Sequence, residues 1–276
     1  KNNASRRGGD DMMSDPAAAV FWRCDGAVAT LTLNRPDKLN PLDGDTIAAL
    51  GAMVEELDGW PDTRVVRLTG AGKAFSAGGD LAGYISLYQA PDAFRDFLES
   101  FHTLLNRIEQ STKIYVAVVN GACVAGGLEL LLAGDMALAA EGARIGDGHL
   151  NFGQLPGAGG SQRLPRAIGA MGAKFLILSG EFLDAAAAQR IGLIGRVFPD
   201  CHLEADSMVL CQAMAKHSAV GLKGAKYLVN RGLAGDLQTG LRMELEFVHN
   251  YATTERDAME GLLAFKDKRP PEYEQD

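Results

Sequence analysis

Two proton-handling side chains stand where ordinary composition does not explain them. Glu129 interrupts the apolar run "GGLELLLAG", and apolar helices seldom bury an unpaired carboxylate. His149 sits among small residues in "GDGHLNFGQLPGAGG", where an imidazole titrating near neutral pH could give or take a proton. Each has a plainer reading: Glu129 as a carboxylate satisfied by structural hydrogen bonds, His149 as a pocket wall. Asp147, two residues earlier, either orients the imidazole or faces solvent, and the sequence leaves both open. His102, His202, His217 and His249 read as surface or packing residues.

Three glycine-bearing segments could supply the complementary chemistry: "GKAFSAGGDL" (72–81), "NGACVAGGLEL" (120–130) and the stretch around His149. Glycine lets a backbone approach a ligand closely, and a helix start offers unsatisfied N–H donors. Two such donors converging on one point would stabilise negative charge developing on a carbonyl oxygen. Tight turns and close helix packing are the competing explanation of the same glycines.

The elements that must position these residues are legible in the hydrophobic pattern. "AVFWRCDGAVATLTLNRP" reads as a hairpin turning at Asp25-Gly26 and stopped by Pro36. Ile47, Leu50, Val54 and Leu57 recur at helical spacing, as do Phe94, Phe97, Leu98, Phe101, Leu104, Leu105 and Ile108. "TRVVRLTG", "YVAVVNG" and "DMALAA" are buried strands, with a helix from about Gly126 between the last two. The alternation argues for an α/β core with partly parallel strands, and the chain turns helical beyond about Cys201. The layout is a core over 18–200, a helical region over 201–276, and a polar segment over 1–17 that is disordered or a vector-derived remnant.

A chain of 276 residues with 47% hydrophobic and 22% charged residues fits an ordinary globular enzyme. The net charge of −8 argues against nucleic-acid binding, which needs a basic face. The four cysteines show neither CxxC pairs nor metal spacing, so no metal is expected and reduced thiols in the cytoplasm are. The apolar stretch from Val116 to Ala140 is broken by Asn120, Glu129 and Asp135, against a membrane span.

"LTLNRPDKLNPL", "GKAFSAGGDL", "VNGACVAGGLELLLAGDMALAA", "FGQLPGAGGSQRLPRAIG" and "LSGEFLDAAAAQRIGLIGRVFP" resemble, in order and spacing, motifs of the crotonase (enoyl-CoA hydratase/isomerase) superfamily. The resemblance covers roughly Val20 to Tyr273. It implies a spiral of ββα units with a C-terminal α-helical trimerisation region, and a homotrimer or dimer of trimers. It implies an acyl-CoA thioester substrate, with coenzyme A as part of the substrate and no separate cofactor. The oxyanion donors then fall on the N–H groups of Gly79 and Gly126. Coenzyme A would run past Lys38, Leu39 and the backbone from Ala77 through Asp80 to Leu81, with Lys73, Lys266, Lys268 and Arg269 as candidate phosphate partners. Those basic residues could equally be solvated surface charge.

Hydratases of this superfamily flank one water with two glutamates, because O–H breaks as Cα gains hydrogen. By the resemblance the first is Glu129 and the second position falls on His149, where "GH" replaces "PE". Proton transfer stays feasible, but the site's charge changes. Hydration of an enoyl-CoA by Glu129 and His149 is the leading expectation. C–C bond hydrolysis of a β-dicarbonyl, decarboxylation, or a non-catalytic CoA-binding role are the alternatives. Ala158 weakens the diketone version, which has an acidic residue there, and Ile114 stands where the superfamily usually has proline.

Overall fold

The computed structural model describes residues 5–6 and 12–274. Short strands β1 (Ser5–Arg6) and β2 (Met12–Met13) lead into the hairpin β3 (Val20–Asp25) and β4 (Val28–Leu33), turning through Gly26 at φ +57°. Residues 12–17 adjoin the hairpin. Met13 pairs with Arg23, and the Ser14 N–H donates to the Trp22 carbonyl at 2.9 Å. Residues 1–4 and 7–11 lie outside the described residues.

From the hairpin the chain repeats one manoeuvre. After α1 (Gly44–Asp58), the strands β5 (Val65–Gly70) and β6 (Ala74–Ser76) are followed by α2 (Leu81–Tyr88) and α3 (Pro91–Gln110). Then β7 (Ile114–Val119) and β8 (Ala122–Val124) precede α4 (Gly126–Leu132), and β9 (Met136–Ala140) and β10 (Arg144–Gly146) precede α5 (Gly160–Ser179). The first strand of each pair joins one sheet and the second joins another. The larger sheet runs β3-β4-β5-β7-β9, parallel from β4 onward, and the smaller runs β10-β8-β6, also parallel. This is the ββα spiral.

Burial explains why these segments adopt these elements. Every residue of β4 and β7 is buried; β7 reads as a continuous apolar run, while β4 buries Thr30 and Thr32 among its apolar residues. On α1 the side chain of Asp43 caps the Thr46 N–H at 3.0 Å, and Ile47, Leu50, Val54 and Leu57 face the core at the predicted spacing. On α3 only Phe101, Leu104, Leu105 and Ile108 are buried; Phe94, Phe97 and Leu98 line a cavity instead.

The remainder comprises β11 (Leu183–Asp184), α6 (Ala185–Arg190), β12 (Arg196–Phe198), α7 (Leu203–Met214), α8 (Ala219–Leu233), α9 (Leu237–Thr254) and α10 (Arg256–Asp267). α8, α9 and α10 pack on one another and leave large apolar side chains in solvent, including Leu237, Leu241, Leu245 and Val248 of α9. No helix among the described residues is long and apolar enough to cross a membrane.

Candidate active site

Register in the smaller sheet builds the site. Ser76 of β6 pairs with Cys123 of β8, and Val124 of β8 pairs with Gly146 of β10. Because the three strands are parallel, their carboxyl ends open side by side at one edge. The loops that leave them carry Gly79, Gly126 and His149 in turn. The Ala125 N–H stitches the second loop to the third, lying 3.2 Å from the Gly146 carbonyl and 2.8 Å from that of Asp147. Residues about fifty and twenty positions apart are thereby brought together.

The first two loops touch directly. A Cβ added at Gly78 would lie 2.8 Å from the Ala125 Cβ and 3.3 Å from the Gly126 nitrogen, and its φ of +93° also favours glycine. Ala125 holds φ +51°, ψ −120°, a region that L side chains rarely occupy. This bend turns the chain abruptly from β8 into α4, so that Gly126 opens the helix at the junction.

Glu129 follows one turn later and is 2% exposed. Its Oε1 accepts two backbone N–H groups, from Ala158 at 2.7 Å and Gly160 at 2.8 Å. The "PGAGG" turn is thus a cradle for this carboxylate. Oε2 faces the imidazole Nε2 of His149 at 3.9 Å. On the far side of the ring, Nδ1 lies 3.1 Å from Oδ2 of the fully buried Asp147, whose Oδ1 accepts the His149 backbone N–H at 3.2 Å. A carboxylate only accepts, so Nδ1 carries the proton and Nε2 is the variable position. Of the two readings left open for Asp147, orientation of the imidazole is the one the structure has.

Environment pulls this pair toward sharing a proton. Burial lifts the Glu129 carboxyl above the usual carboxylate range, against the lowering pull of the Gly160 and Ala158 N–H groups and of His149. Burial pulls the His149 imidazole down, but the hydrogen bond and charge of Asp147, with the charge of Glu129, outweigh it and raise its pKa. Glu129, His149 and Gly126 line one cavity of about 340 Å³. Its opposite wall is aromatic: Tyr84, Tyr88, Phe94, Phe97 and Phe101.

The remaining predicted positions divide. The Ala77 N–H donates to the Leu39 carbonyl at 2.9 Å, and the Leu42 N–H to the Gly78 carbonyl at 2.8 Å, so Leu39 and the 77–81 loop do meet. Leu39 itself has φ +58° and is 42% exposed beside the exposed Lys38, while Asp80 and Leu81 open α2 at the surface. Lys73 is exposed before β6, and its carbonyl accepts the Ala122 N–H. Lys268 is exposed at the end of α10, which packs chiefly on α8 and α9 rather than on these loops. Arg269 is bonded to both oxygens of Glu260.

Comparison with known proteins resolves the family. The family model described as enoyl-CoA hydratase/isomerase matches residues 23–276. The chain belongs to that family. Within it, the 2,3-dehydroadipyl-CoA hydratase of Escherichia coli K12 is 37% identical over 250 residues, 89% of this chain and 94% of that protein. The short-chain-enoyl-CoA hydratase of Clostridium acetobutylicum is 33% identical over 251 residues, 91% of this chain and 95% of that protein. A crystal structure of enoyl-CoA hydratase from Bacillus anthracis superposes with a TM-score of 0.87 at 34% identity, covering 97% of this chain and all of that one. The fold is therefore the enoyl-CoA hydratase/isomerase fold, and the protein is an enzyme of that family.

Proposed function

We propose that the protein adds water across the α,β double bond of an acyl-CoA thioester, with Glu129 and His149 dividing the proton work. One observation carries this reading: the free atoms of the two groups, Oε2 and Nε2, face each other at 3.9 Å while their other atoms are tied off. A water between them meets a base on one side and an acid on the other.

In the proposed reaction the water oxygen bonds to Cβ as one of its protons passes to Nε2 of His149. The π electrons move into the thioester, and the oxygen of the resulting enolate is held by the N–H groups of Gly79 and Gly126. Glu129, whose raised pKa favours its protonated form, gives its proton to Cα. The proton on His149 then returns to Glu129, and the 3-hydroxyacyl thioester leaves. Asp147 supports the imidazolium formed on the way.

Coenzyme A would pass over Leu39 and the Ala77–Leu81 loop, with Lys38 and Lys73 near its phosphates. The exposed apolar row on α9 supports assembly into a homotrimer or dimer of trimers. A panel of enoyl-CoA thioesters, followed by loss of the conjugated thioester's ultraviolet absorbance, tests the reaction. A folded protein that binds CoA but hydrates no member of the panel would overturn it. The Asp147–His149 pair also suits hydrolysis, since it resembles the orienting half of a nucleophile-activating triad. A 1,3-diketone assayed in parallel would separate that second reading.

A further inference from the structure

Tyr84, on α2, places its hydroxyl in the space that a side chain at Gly79 would need: a Cβ built there lies 2.0 Å from the phenolic oxygen. The ring is fixed on both sides, stacked on Tyr88 with centroids 5.8 Å apart and edge-on to Phe97 at 5.7 Å. It lines the same cavity as Gly126, Glu129 and His149. The Tyr88 hydroxyl is taken up by Gln154, whereas the Tyr84 hydroxyl makes no hydrogen bond among the described residues. Burial, with the charge of Glu129 behind it, pushes its pKa to about 12, so it keeps its proton at neutral pH.

Resting on the acyl-CoA reading above, we propose that Tyr84 donates a hydrogen bond to the substrate's thioester oxygen, as a third donor beside the N–H groups of Gly79 and Gly126. An O–H donor aimed at a developing enolate makes a short, charge-assisted bond, stronger than the same bond to the ground-state carbonyl. It would therefore act on the transition state more than on binding. The absence of a side chain at Gly79 is what admits the phenol so close to that residue.

Tyr84→Phe tests this, because it keeps the ring and its stacking and removes a hydroxyl that has no partner among the described residues. Acetoacetyl-CoA serves as the probe, since its enolate has its own ultraviolet band and forms without any hydration step. The enolate formed on the protein at fixed pH falls about 10- to 100-fold in Tyr84→Phe, toward the loss typical of one oxyanion-hole donor, while affinity for free CoA is unchanged. Equal enolate in both proteins overturns the role of Tyr84 and leaves the acyl-CoA reading standing. A fall in enolate matched by a fall in CoA affinity also overturns it, by making Tyr84 a packing residue. No enolate band in the unaltered protein overturns the thioester reading, and this proposal with it.

Discussion

Asp147 grips His149 at two points, taking its backbone N–H on one carboxylate oxygen and its Nδ1 on the other. The grip sets both where the ring points and which nitrogen is left to react. Asp147→Asn keeps the shape but removes the charge that raises the imidazole pKa. In the proposed reaction the competent pair holds one proton, so activity should follow a bell, lost at low pH when both groups are protonated and at high pH when neither is. Without Asp147 the pair gives up its proton more readily. The alkaline limb of kcat therefore moves to lower pH, and kcat at its optimum falls about 10- to 1,000-fold. A pH–rate profile of the two proteins checks the direction, and an unmoved alkaline limb refutes it.

Glu129→Gln retains an acceptor for the Ala158 and Gly160 N–H groups but can no longer deliver a proton. We expect kcat to fall by about 10²- to 10⁴-fold, in line with loss of a general acid–base group, with KM changed far less. His149→Gln should do the same. The double variant should lose little beyond either single one, because the two groups act as a unit. Steady-state kinetics on the best enoyl-CoA decide the matter, and fully multiplicative losses would contradict the shared-proton scheme.

Gly78→Ala places a methyl group against Ala125 and close to the Gly126 nitrogen, at a φ of +93°. Both the clash and the backbone conformation oppose it, so a loss of roughly 1–3 kcal/mol is expected. Chemical denaturation measures the cost, and activity should fall further than stability because the loops that carry Gly79 and Gly126 are pushed apart.

Ala125→Gly acts in the opposite sense. Glycine accepts φ +51°, ψ −120° without the Cβ penalty, which should outweigh its greater freedom in the unfolded chain. A gain of about 1 kcal/mol is expected, seen as a raised denaturation midpoint with activity retained.

The apolar row on α9 gives a further expectation. Replacing Leu241 and Leu245 together by glutamate, both of them exposed, should leave the fold intact while shifting the sedimentation coefficient from an oligomer to a single chain. An unchanged coefficient would place any self-association elsewhere.

Much of this site could be read before any coordinates. The buried strands, the hairpin turn and the helix opening at Gly126 all follow from local pattern. The pairing of Glu129 with His149, by contrast, rested on family resemblance. The choice between the two readings of Asp147 stayed open because a carboxylate two residues from a histidine points either way until the Gly148 turn, at φ +67°, fixes it. The cradle of Ala158 and Gly160 around Glu129 escaped, since backbone N–H groups leave no mark in side-chain identity. The pocket wall was not legible. Tyr84 and Tyr88 of α2 line it with Phe94, Phe97 and Phe101 of α3, and the helical spacing of the α3 aromatics reads as a core stripe.

The side-by-side ending of β6, β8 and β10 also divides labour among successive turns of the spiral. In the proposed reaction the loops after β6 and β8 would hold the carbonyl end of a substrate, while the loop after β10 would supply the group that meets the β-carbon. Each loop hangs from its own strand, and the tie from the Ala125 N–H runs to the backbone carbonyls of Gly146 and Asp147, so a side chain of the third loop can be exchanged without breaking it. His149 is such a side chain. In the proposed reaction the scaffold then holds one half constant while the other half is open to exchange.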